Sequence, residues 1–128
     1  MEFIKHEKYK LNSTPVPVKL SSYNYEVDIF AVGYAEGGTC IMATVVTGPA
    51  DCVAGEPFGK LSFWQEGVTH LLPPEEFCVK TWSENGWAGS VFKSGLFEDT
   101  GKRIVLVYGT EAPIWKLSNL ALGRVGNG

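Results

Sequence analysis

Most of the signatures that announce an enzyme are missing from this 128-residue chain. It has two histidines, His6 and His70, and three cysteines with no C-x-x-C spacing. A Ser-His-Asp or Cys-His centre needs a nucleophile and a base brought together. Cys78 follows His70 by eight positions, but it sits in an apolar strand-like run where a cysteine packs as a small hydrophobe. An odd cysteine count without paired spacing also argues against a disulfide framework or a structural zinc site. Neither G-x-x-x-x-G-K-[ST] nor G-x-G-x-x-G occurs, so no phosphate loop is expected. The acidic pairs Glu75-Glu76 and Glu98-Asp99 read as solvated turn residues. We therefore expect no enzyme, no metal and no cofactor.

Other scarcities bound the partners. Basic residues number 11 against 14 acidic ones, a net charge of −3. A general nucleic-acid binder needs the opposite balance to displace phosphate counterions. Four lysines (5, 8, 10 and 19) crowd the first twenty positions, which suits a sheet edge kept from pairing with other sheets. No apolar run approaches the 18 or so residues of a helical membrane span. The opening MEFIKHEKYK is charged and no apolar segment follows it, so the expectation is a protein of the bacterial cytoplasm rather than an exported one.

What is present favours strands. Fifteen glycines exceed the ordinary share of about 7%, and hydrophobic residues make up 45% of the chain. Glycine disfavours helices and suits turns. Tyr9 and Leu11 alternate with lysines before the turn-forming NSTP. Val16, Val18 and Leu20 alternate after it, which predicts an N-terminal hairpin with a proline-marked edge. Residues 25–35 and 39–47 are apolar on both faces, as central strands are. The Glu36-Gly37-Gly38 turn joins them. A loop over 48–57 leads to a strand over 58–65 with Leu61 and Phe63 inward, and a short strand follows over 76–82. EDTGK at 98–102 reads as a turn, 103–108 as a second central strand and 113–117 as the last strand. The expected fold is α+β: a mainly antiparallel, twisted sheet of seven to eight strands with one short helix near residues 84–94. It forms a single domain over 1–118, with 119–128 a flexible tail.

The helix is the focus of the functional reading. Ser83 suits an N-cap and Glu84 the first turn. Trp87 and Val91, like Ala88 and Phe92, stand four apart on one apolar face. Gly95 supplies the stop. Trp82-Ser83-Glu84-Asn85-Gly86-Trp87 places two rings beside polar handles and helix amides. That makes Trp82 and Trp87 candidates for stacking, Ser83 and Asn85 for polar contacts, and Lys80, Lys102 and Arg103 for phosphates. The alternative for the aromatics is core packing and cladding of the sheet.

Several runs together carry a resemblance: HEKYKLNSTPVPVKL, GEPFGKL, FCVKTWSENGW, GLFEDTGKRI and APIWKL. They are similar to a domain family of unknown function carried by conjugative and phage-like elements of gut bacteria. The resemblance covers most of the chain, and its motifs are structural, so it implies no catalytic residues. SFWQEGVTH departs from the family's pattern, and the hairpin across Gly37-Gly38 and the 48–57 loop are this chain's own. The resemblance implies a setting in which small orphan proteins often counter host defence. On it rests the expectation of a non-enzymatic accessory protein of a phage or mobile element. Such a protein would either block a defence protein or sequester a nucleotide-derived immune signal, in a pocket between subunits of a homo-oligomer. The alternative is a structural or regulatory subunit of a conjugative element with no small-molecule ligand.

Overall fold

The computed structural model describes residues 9–20, 22–34, 37–49, 52–80, 87–106 and 109–122. Nine strands form two antiparallel sheets, and the chain carries one short α-helix and one 3-10 turn among these residues. The mainly antiparallel α+β architecture is therefore the one read from the sequence.

The first sheet is built on β3 (Tyr23–Gly33) and β4 (Thr39–Thr47), paired from Gly33↔Thr39 to Glu26↔Thr47. Val27, Ile29, Ala31, Ile41, Ala43 and Val45 are buried, and the glycines of the connecting turn, Gly37 and Gly38, hold φ of +99° and +94°. β5 (Pro57–Lys60) pairs with β4 on the far side.

The N-terminal hairpin does not form. β1 (Tyr9–Lys10) and β2 (Val16–Leu20) both pair with β3, at Tyr9↔Ala31 and Val16↔Val27, so they are two halves of one interrupted edge strand. Asn12 explains the interruption. Its Oδ1 accepts from the buried Ile29 amide at 2.7 Å, filling the ladder position a strand carbonyl would hold. Its Nδ2 donates to Thr14 O at 2.9 Å and to Asp28 Oδ1 at 3.0 Å. The side chain replaces the main chain, and Ser13, Thr14 and Pro15 are left exposed.

The chain changes sheets at Leu61. The Leu61 amide donates to Ile41 O at 2.9 Å in the first sheet, and its carbonyl accepts from Lys80 N at 2.8 Å. The strand expected over 58–65 is thus divided between β5 and β6 (Ser62–Phe63). The second sheet runs β6, β7 (Glu76–Val79), β9 (Glu111–Leu117), β8 (Phe97–Val105). Ser62 faces inward with Leu61 because its hydroxyl is needed inside: it accepts from Ile41 N at 2.8 Å and meets the Tyr34 hydroxyl at 3.2 Å. The 3-10 turn Thr69–Leu71 lies between β6 and β7.

EDTGK is not a turn between strands. It is a bulge inside β8, where the register with β9 shifts between Asp99 and Arg103 and Gly101 takes φ of +85°. β8 is an edge strand rather than a central one, which leaves Val105 exposed; β9 occupies the interior position. Residues from both sheets and the helix share one core, including Val27, Ile29, Phe77, Val79, Trp87 and Leu117. Ala121 and Leu122, within the stretch read as a tail, are buried in it, whereas 119 and 120 are exposed; 123–128 lie outside the described residues.

Candidate functional site

The helix α1 spans Ala88–Phe92, shorter than the 84–94 expected, and the turn that follows it closes at Gly95 with φ of +85°. Its N-cap position is held by Trp87, with no side-chain cap. Trp82, Ser83 and Asn85 lie outside the described residues. Trp87 is 2% exposed. Phe58 meets it edge-on with centroids 5.1 Å apart, and Tyr25 meets Phe58 in turn at 4.9 Å. A Cβ on Gly59 would stand 3.2 Å from the Trp87 ring, so that glycine is what lets β5 approach it. Trp87 is a core residue and offers no face to a ligand. The apolar helix stripe won the ring because Val91, one turn on, is buried with it.

Two of the three candidate phosphate cations, Lys102 and Arg103, face carboxylates. Lys102 Nζ lies 2.6 Å from Glu76 Oε1 across the second sheet. Arg103 forms a two-pronged pair with Asp99, each contact at 3.0 Å. The Arg103 hydrogen bonds, followed by the Gly101 amide on Asp99 Oδ1, hold the Asp99 carboxyl below its ordinary value; the same pair raises Arg103. Lys80 is half-buried and leads into the undescribed segment. Sequence adjacency put Lys102 and Arg103 on one bulge, but the bulge aims each at its own acid.

The cysteine-histidine possibility loses its chemistry. Cys78 is fully buried, and burial pushes its thiol up, against a smaller opposing pull from a hydrogen bond to Thr69. A nucleophilic thiol needs the reverse. His70 is exposed and stacks over Trp64 at 6.4 Å. Burial likewise raises the Tyr34 phenol, opposed by its hydrogen bond to Ser62 and reinforced by the neighbouring thiols Cys40 and Cys78. Among the described residues no three His, Cys, Asp or Glu side chains are grouped to hold a metal, and no helix is long and apolar enough to cross a membrane.

A groove of about 520 Å³ opens where the edge strand is interrupted, at the other end of the helix from the one the sequence favours. Residues 9–17 form one wall, and Ser94, Leu96, Leu120 and Ala121 the other. Leu96 and Ala121 are buried beneath it, and Leu120 stands 48% exposed at its rim. Phe92, also exposed, lies over Trp115 with centroids 4.7 Å apart, three residues before Gly95. Lys10 is the cation on the wall, and Asp28 approaches it at 3.5 Å. The corner combines a volume suited to a ligand or an anchoring side chain with exposed apolar residues and a nearly neutral lining. No family model matches the chain, and no curated protein or solved structure matches it. Sequence reasoning missed the groove because NSTP is also good turn chemistry; the signal available was an Asn before two closely spaced prolines in an edge strand.

Proposed function

We propose that this is a non-enzymatic accessory protein of a phage or mobile element that blocks a protein of bacterial defence by direct contact. The carrying observation is the corner beyond the helix's C-terminus, where Leu120 is exposed at a groove whose one wall lysine already faces Asp28. Exposed apolar side chains around a recess suit a protein contact. A nucleotide signal with several phosphates would want uncommitted cations, and Lys102 and Arg103 are held by Glu76 and Asp99. The setting comes from the resemblance to proteins of conjugative and phage-like elements. Blocking therefore fits better than sequestration.

The test is phage plating on bacteria that each carry one defence system. Expression of the wild-type chain should restore plating against one system, and Leu120→Arg should lose that effect. No restoration against any system removes the anti-defence reading. A thermal-shift panel of nucleotide signals at saturating excess should show no stabilisation; a shift equivalent to a few kcal/mol would replace blocking by sequestration.

A further inference from the structure

The second sheet ends on an open edge. β8 is its terminal strand, and among the described residues no strand pairs with its other side. Unlike β2 at the edge of the first sheet, which carries Pro17, β8 contains no proline, so every residue of it keeps an N–H. The bonding with β9 tells which residues face outward. Leu106 N donates to Thr110 O at 2.7 Å, so the antiparallel alternation turns Ile104 toward β9 and turns Val105 and Arg103 away from it. Pro113, opposite Arg103, has no N–H to give, in keeping with that alternation. At the other end Leu96 O accepts from Ser118 N at 2.9 Å, which turns Phe97 and Asp99 outward in the same way.

The bulge between these flanks leaves the edge clear. Asp99 and Arg103 pair with Trp115 and Pro113, which are only two positions apart on β9, so the flanks stay as close as in a regular strand. Thr100 Oγ1 donates to Ile114 O at 2.7 Å, and Lys102 Nζ reaches across β9 to Glu76 on β7 at 2.6 Å. Both contacts draw the bulge over the sheet face opposite the core. Its own amides are satisfied inside it, Gly101 N by Asp99 Oδ1 at 2.9 Å and Lys102 N by Thr100 Oγ1 at 3.1 Å. At its crest Gly101 has open space where a Cβ would stand.

We propose that β8 pairs antiparallel with β8 of a second copy, about a two-fold axis through Gly101, joining the second sheets of both copies into one. In this register Asp99 faces Arg103 of the second copy, and Phe97 faces its Val105. Each outward-facing residue then meets another, so the flanks of both strands pair through their main chains. Charge selects the copy over other strands. Asp99 and Arg103 stand side by side with side-chain exposures of 35% and 42%, and the guanidinium keeps N–H donors beyond those it spends on Asp99. Around the axis the four charges alternate in sign, which places each acid between two arginines. A strand without that pattern meets an edge guarded by charge and a bulge. Val105, 68% exposed on the open edge, gains an apolar neighbour.

Sedimentation velocity on the full chain, from about 1 to about 500 µM, should show a monomer passing to twice its mass, with the dimer weakened by added salt. Asp99→Arg and Arg103→Asp each put like charges all round the axis. Each should weaken self-association by about tenfold or more while keeping the native circular dichroism. Mixed in equal amounts, the two variants should pair with each other, because arginines on one copy then face aspartates on the other. Both lack the pair within the chain, so recovery on mixing reports contact between copies alone. The double variant restores every pair and should dimerise as wild type does. Leu120→Arg, at the groove, should also self-associate as wild type does. A chain that stays monomeric throughout the series overturns the proposal. A dimer that survives both reversals, or that only Leu120→Arg abolishes, overturns it too by placing the contact elsewhere. Folded variants that stay apart on mixing overturn the register.

Discussion

Single side chains decide more here than their types suggest. Asn12 reads in sequence as a turn residue, and it is one, but its larger role is to satisfy a buried strand amide from the side. Asn12→Ala would orphan Ile29 N and free Asp28 and Thr14 of their donor, which should cost about 2 kcal/mol in urea unfolding. A change below a few tenths would mean that the loop relaxes to supply a carbonyl instead. Gly38 is a second such position: φ is +94°, and a Cβ would lie 2.5 Å from Thr69 Cγ2 and 2.9 Å from Thr69 O. Gly38→Ala should destabilise by about 3 kcal/mol, combining backbone strain and overpacking. Asp99 gives a pH signature. Its carboxyl is held below the ordinary value by Arg103 first and the Gly101 amide second. A depressed carboxyl contributes stability that is fully present above the unfolded value of about 4. That stability is lost as pH falls through the lower, folded value. The melting temperature of Arg103→Gln should therefore lie slightly below wild type at pH 7, with the gap closing in acid. The pair is exposed, so the effect is small.

Elements were legible to the extent that one local pattern dictated them. The β3–β4 hairpin follows from two long apolar runs around Gly37-Gly38, and the turn after α1 follows from Gly95. Pairing partners were not legible. Tyr9–Lys10 and Val16–Leu20 have the spacing of a hairpin, and only the longer β3 alongside them, with Asn12 filling the gap, makes them one broken strand. The bulge in β8 looks like any Gly-containing turn until β9 is present to be mispaired against. The same limit applies to the candidate site. In sequence Trp87 stands beside Ser83 and Asn85, whereas its neighbours in space are Phe58 and Gly59. The helix depends on those contacts, because five residues cannot sustain helix nucleation alone. Trp87→Ala should cost about 3–5 kcal/mol. A peptide covering residues 84–96 should show no helical circular dichroism in water; appreciable helicity would mean that local propensity, not packing, holds α1.

At the scale of the molecule, the question is whether two sheets make two folding units. Their hydrogen-bond ladders are separate, but they meet at Leu61, which bonds to β4 through its amide and to Lys80 through its carbonyl. Above that joint the inner faces interleave: Val27 and Ile29 from the first sheet belong to the same buried cluster as Phe77, Phe97 and Leu117 from the second, with Trp87 and Val91 of the helix among them. Neither sheet can expose its inner face without uncovering the other's. Loss of one should therefore release both, and a chain of this length can unfold in a single cooperative step. Val27→Ala and Phe77→Ala place one deletion in each sheet. Each should lower the urea midpoint, the second by more because it removes a ring, and the slope should stay that of wild type. Tryptophan fluorescence weights Trp87 and Trp115 in the core, while far-ultraviolet dichroism weights all strands. The two probes should give coincident curves for both variants. Separated midpoints in either variant would show that Leu61 joins two units of independent stability, and the groove, bounded by the first sheet's edge strand and by Leu96 and Leu120 beyond the helix, would then open whenever the weaker unit did.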